Sequence, residues 1–69
     1  MWYELFYTPE GYGEMSMCDW SKMISKSRLY SVIENDCVGQ YGDGKWALRD
    51  EDGNTVCKGT AIAGSITEE

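Results

Sequence analysis

The chain has no histidine among its 69 residues, only one proline, and no Cys-x-x-Cys pair. Without histidine the usual acid–base side chain near neutral pH is missing, and so is a common zinc ligand. The cysteines, Cys18, Cys37 and Cys57, are three in number and far apart, so they read as buried free thiols in a reducing compartment. No apolar run approaches the ~20 residues that span a bilayer. Met1 to Tyr7 lacks the basic start and long apolar stretch of a secretory signal. Repeats and low-complexity tracts are also missing. These absences predict a soluble cytoplasmic protein without membrane span, metal, cofactor or catalytic residue.

What is present is acid. Twelve Asp and Glu stand against six Lys and Arg, a net charge of −6. The excess is uneven: residues 1–20 carry −4 with no basic residue, residues 21–33 carry +3, and residues 34–69 carry −5. Nine aromatics supply core material, each able to bury roughly 150–250 Å². A chain this short buries only about 60% of its unfolded surface, so one domain over residues 1–69 is expected, and a homodimer is open beside a monomer.

Local patterns predict a small α+β domain, a mostly antiparallel sheet of about four to five short strands with one short helix packed on it. Trp2–Tyr7 is dense in β-formers and runs into Thr8-Pro9. Residues 9–13 read as a turn and residues 14–17 as the returning strand. Asp19 suits an N-cap, with Trp20, Met23 and Ile24 at helical spacing. On the same wheel Leu29, Val32 and Ile33 fall on the far side, about 120–220° away. That phase break predicts a short helix over 19–27 and then a strand from Leu29 to Glu34, with a single helix to about 35 as the alternative. A turn at Asn35-Asp36, a strand over 37–41 and a turn at 42–44 follow. Asp52-Gly53 reads as a two-residue hairpin turn that pairs Asp50 with Thr55, Leu48 with Cys57 and Trp46 with Gly59. Trp46, Leu48 and Cys57 then share the core face, and Lys45, Arg49 and Lys58 the outer one. Residues 61–66 read as a terminal strand and 67–69 as a frayed tail.

If the strands form a meander, the 35–36 and 51–54 turns fall at one end of the sheet and gather Glu34, Asp36, Asp50, Glu51 and Asp52. Taken alone, such acids read first as solvated turn residues. Asp50-x-Asp52-x-Asn54 begins like a calcium loop, but Thr55 and Ala61 stand where Gly and Glu are needed. Glu10-Gly11-Tyr12-Gly13-Glu14 resembles the Gly-Tyr-Gly of cold-shock domains. Glu10 replaces the Lys of that motif and Glu14 its stacking Phe, so direct nucleic-acid binding is not expected. Cys18 beside the N-cap lacks a base, and a domain this small offers no cleft for a sugar chain, so an enzyme is not expected.

In length, acidity and strand–helix–strands order, with acids clustered at Asp50-Glu51-Asp52, the chain resembles the small acidic proteins phages make against bacterial defences, anti-CRISPR proteins in particular. The resemblance implies a non-enzymatic inhibitor in the host bacterial cytoplasm. Its acidic surface would dock on a basic protein surface, such as the nucleic-acid site of a Cas effector subunit. The residues implied are Asp50, Glu51 and Asp52 first, then Glu34, Asp36 and Asp43, with Glu10 and Glu14 as a second patch. Tyr12 and Tyr41 are the aromatic anchors. Lys45, Arg49 and Lys58 on a sheet face suit a mixed protein-binding surface better than a pure DNA mimic. The other reading is a homo-oligomeric structural or accessory protein whose acids serve solubility.

Overall fold

Alternation at period two forms the first strand, β1 (Glu4–Pro9), in the computed structural model, which describes residues 2–17 and 24–69. Leu5, Tyr7 and Pro9 are buried, while Glu4, Phe6 and Thr8 between them face the other way. After the turn, β2 (Met15–Ser16) returns beside β1, Tyr7 opposite Met15. The other strands are β3 (Gly44–Arg49), β4 (Thr55–Ile62) and β5 (Ser65–Glu68). They complete an antiparallel five-stranded sheet in the order β2-β1-β3-β4-β5, so the expected α+β class holds.

One helix, α1 (residues 26–41), joins β2 on one side of β1 to β3 on the other. It supplies Leu29, Ile33 and Cys37 to the core, against Leu5, Tyr7, Trp46, Leu48, Cys57 and Ala61 from the sheet. The strands expected at Leu29–Glu34 and 37–41, and the turn at Asn35-Asp36 between them, are therefore helical. Helix α1 begins at Lys26, since Ser25 is extended and Ile24 bridges to Tyr3. Of the helix expected at 19–27, residues 19–23 lie outside the described residues. The phase break belongs to an extended Ile24 followed by a helix with its own apolar face.

That helix keeps its face by changing pitch. Steps of four, as from Leu29 to Ile33 to Cys37, drift about 40° each in an α-helix. Over Ile33–Val38 the helix widens to a π turn, with the Gly39 N–H donating to the Glu34 carbonyl five residues back. A wider turn rotates each residue less, which returns Cys37 to the line of Ile33. The helix ends at Gly42, whose φ of 80° suits glycine.

The hairpin joining β3 to β4 differs in detail from the expected two-residue turn. The Gly53 N–H donates to the Asp50 carbonyl (3.0 Å) and the Asp50 N–H to Asn54 (2.9 Å), so three residues form the loop. Asp50 thus opposes Asn54 and Arg49 opposes Thr55, one step off the expected pairing. A bulge that leaves Val56 over absorbs the step and restores Leu48 opposite Cys57 and Trp46 opposite Gly59. Without it every later side chain of β4 would face the wrong side. Lys45, Arg49 and Lys58 lie on the outer face, as expected. Residues 61–66 hold a turn at Ala63-Gly64 instead of one strand, and the expected frayed tail is paired: Thr67 and Glu68 lie in β5, and the Glu69 N–H donates to the Lys58 carbonyl.

Candidate protein-binding surface

The acids are sorted by what the helix does to the topology. Because 34–36 is helical, Glu34 and Asp36 are exposed on α1 and do not join a turn beside 51–54. The helix starts at the end of the sheet that holds the 51–54 loop, where Tyr3 pairs with Ile24, and finishes at the other, where β3 begins. The five-carboxylate pole is therefore not assembled. Asp50, Glu51 and Asp52 stand at one end, the end where α1 starts with Lys26 and Arg28. Asp50 is also committed locally, its Oδ1 accepting from the N–H groups of Asp52 (3.0 Å) and Asn54 (2.9 Å).

At the opposite end three other residues come together. The Glu10 N–H donates to the Asp43 carbonyl (2.9 Å), and the Asp43 carboxylate accepts from Ala63 (3.0 Å). That acid ties the β1–β2 turn, the start of β3 and the β4–β5 turn into one platform. Tyr12, 73% exposed, rides on the β1–β2 turn, its N–H donating to Pro9. Tyr41, 44% exposed, stands two residues before Asp43. From Leu29 to Gly44 there is no Lys or Arg, and the last turn of α1 carries none to offset its negative dipole end. Glu10, Tyr12, Tyr41 and Asp43 thus lie at this end of the molecule, while Glu34 and Asp36 lie along the helix that leads to it, two positions apart and so on opposite sides of α1. The tenth residue, Glu14, belongs to neither group. It pairs with Arg49 at 3.1 Å, and Arg49 stacks on the Phe6 ring, 4.1 Å from its centroid.

Two features escape a sequence reading. A groove of ≈470 Å³ with mostly apolar walls opens beside this platform, between Pro9, Glu10, Asp43 and Ile62. Ile62 is 56% exposed; continuing the alternation from Lys58 and Thr60 would have placed it on the outer face. The second is at the end of the helix, where the hydroxyl of buried Tyr7 donates to the Gly42 carbonyl at 2.5 Å. Burial, then the Cys37 thiol and Asp43, push the Tyr7 phenol above its ordinary 10.0.

Cys37 and Cys57 are buried in the core, and Cys18 lies outside the described residues. Burial, then Glu68, raise the Cys57 thiol above 9.0 while Lys26 opposes, the reverse of an activated nucleophile. Among the described residues no three His, Cys, Asp or Glu side chains are grouped to hold a metal ion, and no helix is long and apolar enough to cross a membrane. No protein-family model, curated protein or solved structure matches the chain.

Proposed function

We propose that this protein is a non-enzymatic inhibitory binding protein that docks on a basic protein surface through the acidic run on α1 and the adjoining end of the sheet. The observation that carries this is the platform at the end of the sheet, where Asp43 ties Glu10 to the β4–β5 turn beside exposed Tyr12, at the foot of a helix with no cation from Leu29 to Gly44. Exposed tyrosines inside a charged rim are the composition of a protein interface, with the aromatics as anchors. Like-charged carboxylates held together repel, and a cationic partner relieves that repulsion while steering association. In an anti-CRISPR role, the partner is a Cas effector subunit and the covered surface its nucleic-acid path. The Asp50–Asp52 hairpin, at the far end, is then secondary.

The test is protection of a targeted plasmid in bacteria carrying an active CRISPR system. The chain should restore transformation, and the triple reversal of Glu10, Glu34 and Asp36 to Lys should abolish protection. Reversal of Glu51 and Asp52, which spares Asp50 and its turn, should leave most of it. Loss confined to the hairpin variant would move the site to the other end. Retention in both would leave the acids to solubility.

A further inference from the structure

We infer that the sheet face turned away from α1 is where two copies of this chain meet. This face adjoins the acidic platform at Thr8 and Lys45, which line one groove with Glu10 and Asp43, but the inference does not rest on the inhibitory reading.

Charge comes first. The chain carries −6, so most of its surface repels a second copy. The outer face is the exception. It holds Lys45, Arg49 and Lys58 against Glu4, Glu14 and Glu69, three cations and three carboxylates. Of these six only Arg49 and Glu14 form an ion pair, so Lys45 and Lys58 lack a carboxylate partner among the described residues.

Register makes the face self-complementary. On β1 and β3 the outer pairs are Glu4–Arg49, Phe6–Ala47 and Thr8–Lys45. A two-fold axis along the strands, midway between β1 and β3, lays β1 of each copy over β3 of the other. Each residue then faces the second copy of its own cross-strand partner: Glu4 over Arg49, Phe6 over Ala47, Thr8 over Lys45. The same axis sets the β2 side, with Glu14, over β4, with Lys58. Shape agrees with charge. Ala47 lies in a hollow of ≈260 Å³, and Phe6 with Arg49 stacked on it is what meets that hollow. Face-to-face sheets sit about 10 Å apart, a gap these side chains fill from both sides.

Area sets the strength. Strands β1, β3 and β4, six to eight residues long and about 4.8 Å apart, give a footprint of roughly 14 × 20 Å, to which β2 and β5 add two and four residues at the edges. That is below the roughly 800 Å² per partner of a standard specific interface, so the contact is a weak one. The dimer should therefore form and dissociate with concentration. The helix, on the other side of the sheet, and Tyr12 on its turn remain free, so a dimer would present two acidic surfaces.

Sedimentation of the full chain over a concentration range up to about 1 mM tests this. The expected result is a rise in mass from 7.8 kDa toward twice that value. Glu4→Arg and Arg49→Glu should each stay monomeric, since each places like charges face to face. Mixed in equal amounts they should associate. The two reversed side chains then face each other across the axis, the native Glu4 and Arg49 do the same, and every pair is again opposite in charge. For wild-type protein, isotope-filtered spectra of a labelled–unlabelled mixture should show contacts between the Phe6 ring and the Ala47 methyl across copies; this arm holds even where a variant fails to fold. A 7.8 kDa species at every concentration would overturn the proposal. So would variants that still dimerise alone, folded variants that ignore each other in the mixture, or a wild-type dimer without the Phe6–Ala47 contact.

Discussion

Ala63 has φ 53° and Gly64 φ 81°, so the two-residue turn between β4 and β5 asks a residue with a Cβ to adopt the left-handed conformation. That costs an ordinary L-residue roughly 1–2 kcal/mol, less for asparagine. Ala63→Asn should therefore stabilise the fold by about 0.5–1 kcal/mol, read as a higher urea midpoint, with the Ala63 N–H to Asp43 bond preserved. Tyr7 carries the opposite kind of constraint. Its neutral hydroxyl caps the Gly42 carbonyl in a buried setting, and Tyr7→Phe should cost about 1 kcal/mol at neutral pH. The pH dependence follows from the raised pKa values of Tyr7 and Cys57. For both, the folded state favours the protonated form, so their contribution is complete below the unfolded values of 9.0 and 10.0. It is lost as pH rises through the raised folded values. Urea midpoints should stay level to about pH 8 and fall above it, and Tyr7→Phe should flatten the most alkaline part of that fall.

Among the elements, α1 depends on packing more than on its own propensity. Its interior includes Ser31, Val32, Ile33, Asn35 and Asp36, none a strong helix former. What holds it is the line Leu29–Ile33–Cys37 against the sheet, kept straight by the π turn. Ile33 is fully buried, and Ile33→Ala should cost about 2–5 kcal/mol. In a domain whose total stability is of order 0.05–0.15 kcal/mol per residue, that is enough to leave a large unfolded fraction visible by circular dichroism. Strands β1 and β3 and most of β4 were legible because they are half-buried and alternate, so the core face of Trp46, Leu48 and Cys57 could be read from spacing alone. The helix was not, because Asn35-Asp36 and Gly39 look like loop chemistry and Leu-Tyr-Ser-Val-Ile looks like a strand. Burial of three side chains outweighs those local preferences.

At the scale of the whole molecule, the described residues place charge in four groups: acids on the helix and one end, an acidic hairpin at the other end, Lys26 and Arg28 at the start of α1, and a balanced sheet face. The run ends at a helix terminus without a cation, so stability and the proposed binding oppose each other there. Gln40→Lys, at an exposed site in that last turn, should raise stability by about 0.3–1 kcal/mol and slow association with a basic partner. Melting temperature and association rate, measured on one preparation, should move in opposite directions as favourable and unfavourable changes. A gain in both would argue that the run is not the contact surface.

The amino-acid sequence by itself determined the acidity, the lack of histidine chemistry, the α+β class and which strand residues face inward. Each of these follows from composition or from a period of two within a few residues. Which acids stand together was decided by tertiary structure alone. Glu34 and Asp36 would have joined Asp50, Glu51 and Asp52 had residues 29–41 been strands. Once Leu29, Ile33 and Cys37 are buried as one helical line, those acids are carried along the helix toward Asp43 and Glu10 instead. The physical reason is that charges do not choose their neighbours in so small a chain; the apolar residues between them do.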